Sequence, residues 1–268
     1  FTFYYAQTYP LPPKSTILGM LQNAVEDWYG INLKDDWDNL KVSIHGGFES
    51  IFWNFQNLIK GEISISQNHF LVNKHDDNVS TKIGTWLPLY GEGLISKRVP
   101  VYQQELFNGH LFLFLKGSES LINKMKECLE KPRKILYLGR SEDIIFIKVI
   151  RDIGIYKKEE VRGDIKLTFP TYIKIESQKE GKREVFPIKM KKYPVYSIPT
   201  KIIFKNNGTP VKNKSEISKS TEREVEFETV IYTGYEYSIL LEVGKTLNVE
   251  VYKVGDKEIK IIEDFGWL

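Results

Sequence analysis

Tyr9-Pro10-Leu11-Pro12-Pro13-Lys14-Ser15-Thr16-Ile17-Leu18-Gly19-Met20-Leu21 is the stretch from which the rest of the chain can be placed. Three prolines fix φ and push the residues before them toward extended conformations, so no helix can begin before Pro13. Ser15 or Thr16 can then cap the first free backbone N–H groups. Ile17, Leu18, Leu21, Ala24, Val25 and Trp28 follow at steps of three and four, which predicts an amphipathic helix from about Ser15 to Trp28. A helix that starts so abruptly presents its N–H groups beside Lys14, an arrangement suited to a phosphate. Gly19 inside the helix costs about 1 kcal/mol against alanine and marks a face that a backbone or ligand approaches.

Outward from this helix, the sequence predicts short strands at Lys41–Ile44, Ile51–Phe55 and Gly61–Ser66, then a polar excursion from Gln67 to Thr85. His110–Leu115 (HLFLFL) and Ile144–Ile150 (IIFIKVI) read as buried strands. Gly117-Ser118 is a turn and cap for a helix ending before Pro132. With one strand at or before Phe1–Tyr5 this order is βαββαβ, an α+β ferredoxin-like unit over 1–150. Residues 151–268 are broken by prolines and rich in strand patterns, among them Tyr193–Ile198, Glu224–Tyr232 and Leu247–Val254. They read as a smaller β-rich C-terminal domain.

Composition narrows the function classes. Hydrophobic residues make up 41% of the 268, which fits a folded protein. The single cysteine, Cys128, excludes an internal disulfide and any multi-cysteine metal site, and fits a reducing, cytoplasmic setting. No apolar run reaches the roughly 20 residues of a membrane span, and no signal peptide opens the sequence. The four histidines lack metal-ligand spacing, and P-loop, dinucleotide and GxSxG motifs are missing, so the reading names no cofactor and no metal. Net charge is only +3, yet Gly181–Ser220 carries ten basic residues against two glutamates, as either a polyanion-binding face or a solvated one.

The second informative segment is the loop Leu138-Gly139-Arg140-Ser141-Glu142-Asp143. Glycine lets a backbone come close to a ligand, and arginine forks onto phosphate. In a βαββαβ unit the loop and the opening helix can frame one groove. Tyr5, Gln7, Lys97 and Arg98 can add stacking and phosphate contacts there, as single-stranded nucleic acid sites do. The candidate RNA-binding set is therefore Lys14, Ser15, Thr16, Gly19, Gly139, Arg140, Ser141, Lys97, Arg98, Tyr5 and Gln7, with no catalytic residue assigned.

YPLPPKSTILGML followed by LYLGRSED resembles the fifth CRISPR-associated protein family, Cas-five. The resemblance is clear from Phe1 to about Ile150 and loose beyond. It implies a ferredoxin-like domain of the RAMP superfamily (RRM-type), with its first strand truncated here and a β-hairpin thumb at about 67–98. It also implies a non-catalytic subunit of a type I Cascade complex in antiviral defence, capping the 5′ handle of the CRISPR RNA. Its partners would be that RNA, the repeated backbone subunit, the large subunit and, indirectly, target DNA, with no membrane. Two alternatives belong to the same resemblance: a metal-free pre-CRISPR-RNA endoribonuclease, with His45 or His110 as base beside Tyr5, Lys14 or Lys97, and the related RAMP subunit of type III complexes.

Overall fold

The structure is a computed structural model that describes residues 5–27, 34–59, 63–66, 69–72, 98–140, 143–179, 181–189, 193–211, 220, 222–234 and 238–268. It is an α+β fold, rich in strands and poor in helices. Two compact units are present, Phe1–Thr8 with Phe48–Asn108, and Tyr9–Gly47 with Gly109–Leu268. Two long strands, β2 (Lys41–Ile59) and β5 (Arg98–Lys116), have residues in both units.

In the first unit β1 (Tyr5–Ala6) runs parallel to β5, with Tyr5 opposite Tyr102, and β5 has β2 on its other side. Phe55 packs on Tyr102 with ring centroids 5.3 Å apart, and Asn54 donates to Glu105 across 3.1 Å. A short antiparallel pair, β3 (Ile63–Ser66) and β4 (His69–Val72), completes what is described. The rest of the expected thumb lies outside the described residues.

The second unit holds α1 (Lys14–Val25), α2 (Lys34–Asp38) and α3 (Glu119–Glu130). Ser118 caps α3 as its sequence predicts, its hydroxyl accepting the Leu121 N–H at 3.3 Å, and the helix stops before Pro132. The β-rich part contains a four-stranded sheet in the order β12 (Thr209–Pro210), β11 (Val195–Asn206), β13 (Glu222–Tyr232), β8 (Tyr172–Lys174). A three-stranded sheet has β15 (Thr246–Val254) between β16 (Lys257–Ile262) and β6 (Lys157–Arg162). Two-stranded pairs join β7 (Asp164–Lys166) to β14 (Ser238–Leu240), and β9 (Glu176–Lys179) to β10 (Lys182–Val185).

Side chains alternate across a strand, and both faces of the β15 sheet are used. Val249 and Ile262 face a core built with Ile165, Ile173, Phe186, Ile231 and Phe265. Tyr252, Ile259 and Ile261 face a second core with Phe114 and Trp267. Buried Glu250 is fully engaged there. It accepts from the Tyr252 hydroxyl at 2.9 Å and the Trp267 indole at 3.2 Å, with the Lys116 ammonium 3.8 Å away.

Two expected buried strands differ from expectation. His110–Leu115 is strand, as the end of β5, but only Phe114 in it is buried. Ile144–Ile150 is not a strand. Beyond the Tyr137–Ile144 bridge and the Ile145 N–H bond to Leu136, residues 146–150 make no backbone hydrogen bond among the described residues. Phe146 is 87% exposed. An apolar run predicts burial only if a sheet is there to receive it, and none among the described residues lies beside this one. Among the described residues, no helix is long and apolar enough to cross a membrane.

Candidate functional site

The proline lead is held rigid by long-range partners. The Tyr172 hydroxyl, on β8, accepts the Leu11 N–H at 3.0 Å and donates to the Leu11 carbonyl at 2.6 Å. The Tyr9 hydroxyl donates to the Ser197 carbonyl at 3.0 Å. Helix α1 then begins at Lys14, one residue earlier than expected. The cap is also different. Pro13 is the N-cap residue, with no side-chain cap bond, and its carbonyl accepts from Thr16 and Ile17 N–H at 3.0 and 3.2 Å. A proline pinned in the extended region aims its carbonyl into the first turn, so Ser15 and Thr16 are left inside the helix with their hydroxyls uncommitted to capping. The N–H groups of Lys14 and Ser15 have no acceptor among the described residues. Ile17, Met20, Leu21 and Val25 form the buried stripe; Trp28 lies outside the described residues.

Lys14 does not project into solvent. Its ammonium donates to the Leu268 carbonyl at 3.0 Å, and burial, helped by the Lys174 cation, pushes its pKa down to about 8. At Gly19, a side chain would meet nothing within 4 Å among the described residues, so no described backbone explains the glycine.

The described residues of the Leu138–Asp143 loop are tied to one another. The Leu138 N–H donates to the Asp143 carbonyl at 2.9 Å, and the Asp143 N–H to the Arg140 carbonyl at 3.1 Å. The Arg140 guanidinium forks onto the Asp143 carboxylate, Nε to Oδ2 at 3.0 Å and Nη2 to Oδ1 at 2.8 Å. Gly139 has φ +99°, a conformation that favours glycine. A Cβ on Gly139 would sit 3.9 Å from both the Thr16 methyl and Asp143 Oδ2. The loop and the first turn of α1 are therefore neighbours. Asp143, three residues beyond Arg140, was not singled out by sequence; its opposite charge at that spacing was the available signal.

The other candidates are distributed differently. Tyr5, Gln7 and Arg98 belong to the first unit, Tyr5 by its backbone in β1 and Arg98 at the start of β5, and Gln7 is exposed. Lys97 and Ser141 lie outside the described residues. Within the basic segment, Lys201 pairs with Asp38 and Lys205 with Glu224.

His45 is sealed in the core, 2% exposed, edge-on to Phe114 and hydrogen-bonded to Ser43 at 2.9 Å. Burial pushes its pKa from 6.5 down to about 3, so it is neutral and out of reach of an RNA hydroxyl. His110 is exposed on β5. The folded chain takes up the His45 proton only near pH 3, whereas the unfolded chain takes it up near 6.5. Stability is therefore complete above pH 6.5 and falls as the pH drops toward 3, by about 1.4 kcal/mol per pH unit. Urea unfolding is expected to show a loss of about 2 kcal/mol between pH 6.5 and 5 that is missing in His45→Gln. An equal loss in that variant would assign the acid sensitivity elsewhere.

Compared with protein families, residues 1–189 match the model of the family described as CRISPR-associated protein (Cas_Cas5). No curated protein matches the chain in sequence. Among solved structures, a chain titled "CRISPR RNA-guided surveillance complex" is similar at a TM-score of 0.38 and 12% identity, over 89% of this chain and 83% of that one.

Proposed function

Because the chain belongs to the CRISPR-associated Cas5 family, we propose that it is a non-catalytic RNA-binding subunit of a type I Cascade complex in the cytoplasm, capping the 5′ handle of the CRISPR RNA. The observation that carries this reading is the junction of the two motif segments, where Gly139 lies against Thr16 at the start of α1. One wall supplies unspent N–H groups of Lys14 and Ser15, with the Ser15 and Thr16 hydroxyls. The other supplies the Gly139 backbone and a guanidinium held in a fixed orientation by Asp143. Helix N-termini and arginine forks are both suited to phosphate.

In this proposal Arg140 is the main phosphate cation. Lys14 acts chiefly by locking the first turn to Leu268, and the open space at Gly19 receives RNA or a neighbouring subunit. Ser141 adds a polar contact to the RNA, Lys97 and Arg98 hold handle bases, and Tyr5 and Gln7 add stacking and hydrogen bonding. The ferredoxin-like RAMP-type domain over 1–150, the β-rich domain over 151–268, and contacts with the backbone and large subunits belong to the same proposal. So does an indirect relation to target DNA.

Arg140→Ala is expected to weaken handle-RNA binding about tenfold at physiological salt, the scale of one charge-assisted contact. It should also lower the salt slope by about 0.7, as for one lost phosphate contact on a single strand. Filter binding across a salt series measures both. Unchanged affinity and slope would remove the loop from the RNA site.

A further inference from the structure

The run 144–156, which the fold leaves uncovered, is a strand without a sheet. From residue 145 to 156 the chain makes no turn or bend, and no residue in it has a positive φ. The backbone of 146–155 bonds to nothing among the described residues. The run then passes directly into β6, where the Tyr156 N–H donates to the Val251 carbonyl of β15 at 2.8 Å. β6 is itself the edge of its sheet, paired only with β15 among the described residues.

The two parts of this edge are protected differently. β6 opens with Lys157, Lys158 and Glu159, and its charges are engaged. Lys157 pairs with Glu159 at 2.9 Å and Glu258 at 3.2 Å, and Lys158 with Glu263 at 3.3 Å. Charged side chains along an edge strand discourage a further strand from joining it, so β6 closes one end of the run. The run itself has the opposite character. Ile144, Phe146, Ile147, Val149, Ile153 and Ile155 are all exposed. An apolar stretch of strand-forming residues with an open backbone is the kind of edge that folded proteins cover. Its charges are also uneven. Asp152 is paired to Lys126, while Lys148 and Arg151 have no ion-pair partner among the described residues.

These features specify what covers the run. A row of open N–H and C=O groups is met by another extended polypeptide, which supplies a matching row. A nucleic acid strand has no amides to offer in register, and a helix spends its backbone groups internally. A second copy of the run would bring four unpaired cations together, because each copy adds Lys148 and Arg151 while its one carboxylate, Asp152, is taken. We propose that residues 145–155 receive an extended strand of a partner protein in which apolar residues alternate with carboxylates. The backbones pair, the apolar side chains cover those of the run, and the carboxylates lie beside Lys148 and Arg151. The edge stands on its own residues and is independent of the handle reading.

The test uses the full chain and a short fluorescent peptide in which valine and isoleucine alternate with glutamate, read by fluorescence anisotropy. The same peptide N-methylated at alternate residues keeps its side chains but loses one row of donors, and should bind far more weakly. A peptide with lysine in place of glutamate should also bind far more weakly. Lys148→Glu with Arg151→Glu should weaken the acidic peptide on the order of tenfold, since it sets like charges opposite one another. Val149→Pro should weaken it by about the same factor, because proline removes a donor and does not fit inside a paired strand. These side chains are exposed, so circular dichroism should be unchanged in both variants. The charge-matched control, Lys182→Glu with Lys189→Glu, should change the affinity far less. Sedimentation of the full chain alone should show a monomer. No binding of the acidic peptide, equal binding of the N-methylated or the lysine peptide, or unchanged affinity in the Val149 variant would each overturn the proposal. So would a dimer that Val149→Pro dissociates, which would assign the run to a second copy.

Discussion

Gly46→Ala will keep the second unit from folding, while Gly47→Ala one residue later will fold normally. Gly46 sits at φ +130°, where side chains are rarely tolerated, and a Cβ there would overlap the His110 carbonyl oxygen and stand 3.0 Å from Leu111 Cα. Both obstacles are backbone, so no rotamer change relieves them. The strand cannot withdraw either, because Gly46 N–H donates to Pro170 and His45 bridges Thr171. A cost of at least about 4 kcal/mol is expected, a large part of the roughly 5–15 kcal/mol that keeps a domain folded. At Gly47 an added methyl meets nothing within 4 Å among the described residues. Soluble yield and urea unfolding of the two variants make the comparison; a Gly46→Ala protein with the parental midpoint would refute the packing described around β2.

The second large effect is expected for Tyr172→Phe. One hydroxyl serves both backbone groups of Leu11, which is 0% exposed and has no other partner for them among the described residues. Removing the oxygen leaves a buried donor and a buried acceptor unsatisfied, at about 1–3 kcal/mol each. The loss should be local as well as global. Amide exchange at Leu11 should accelerate before that of the α1 interior, since the lead is freed while the helix keeps its own ladder. A protected Leu11 amide with unchanged stability would show that the hydroxyl is dispensable. Because the lead aims α1, weaker handle-RNA binding should accompany the change.

The parts legible in the sequence were those with local causes. Prolines 10, 12 and 13 dictated where α1 can start, and Ser118 announced the start of α3 because its partner is three residues away. Glycine and arginine in one loop pointed to a backbone that turns tightly, and Gly139 does so. What escaped depends on partners far along the chain. Pro13, not a hydroxyl, caps α1; Lys14 turns to Leu268; Tyr172 holds Leu11. The run Ile144–Ile150 has the composition of a buried strand, but burial is supplied by neighbours, which its own residues do not encode. His45, one of two histidines open to a catalytic reading, is instead a neutral core residue, and its surroundings come from Ser43, Phe114 and Thr171 together.

The placement of β15 between two cores has a consequence for synthesis. Its partner β6 and the apolar residues Ile165, Ile173 and Phe186 leave the ribosome long before residues 246–262 exist to cover them. Neither core can close in stages, because each takes one face of the same late strand. The nascent chain therefore carries exposed apolar surface through much of its translation, the condition under which chaperones bind and aggregation competes. Each core is complete only once its residues from the last part of the chain, Val249, Ile262 and Phe265 in one and Tyr252, Ile259 and Trp267 in the other, have joined it.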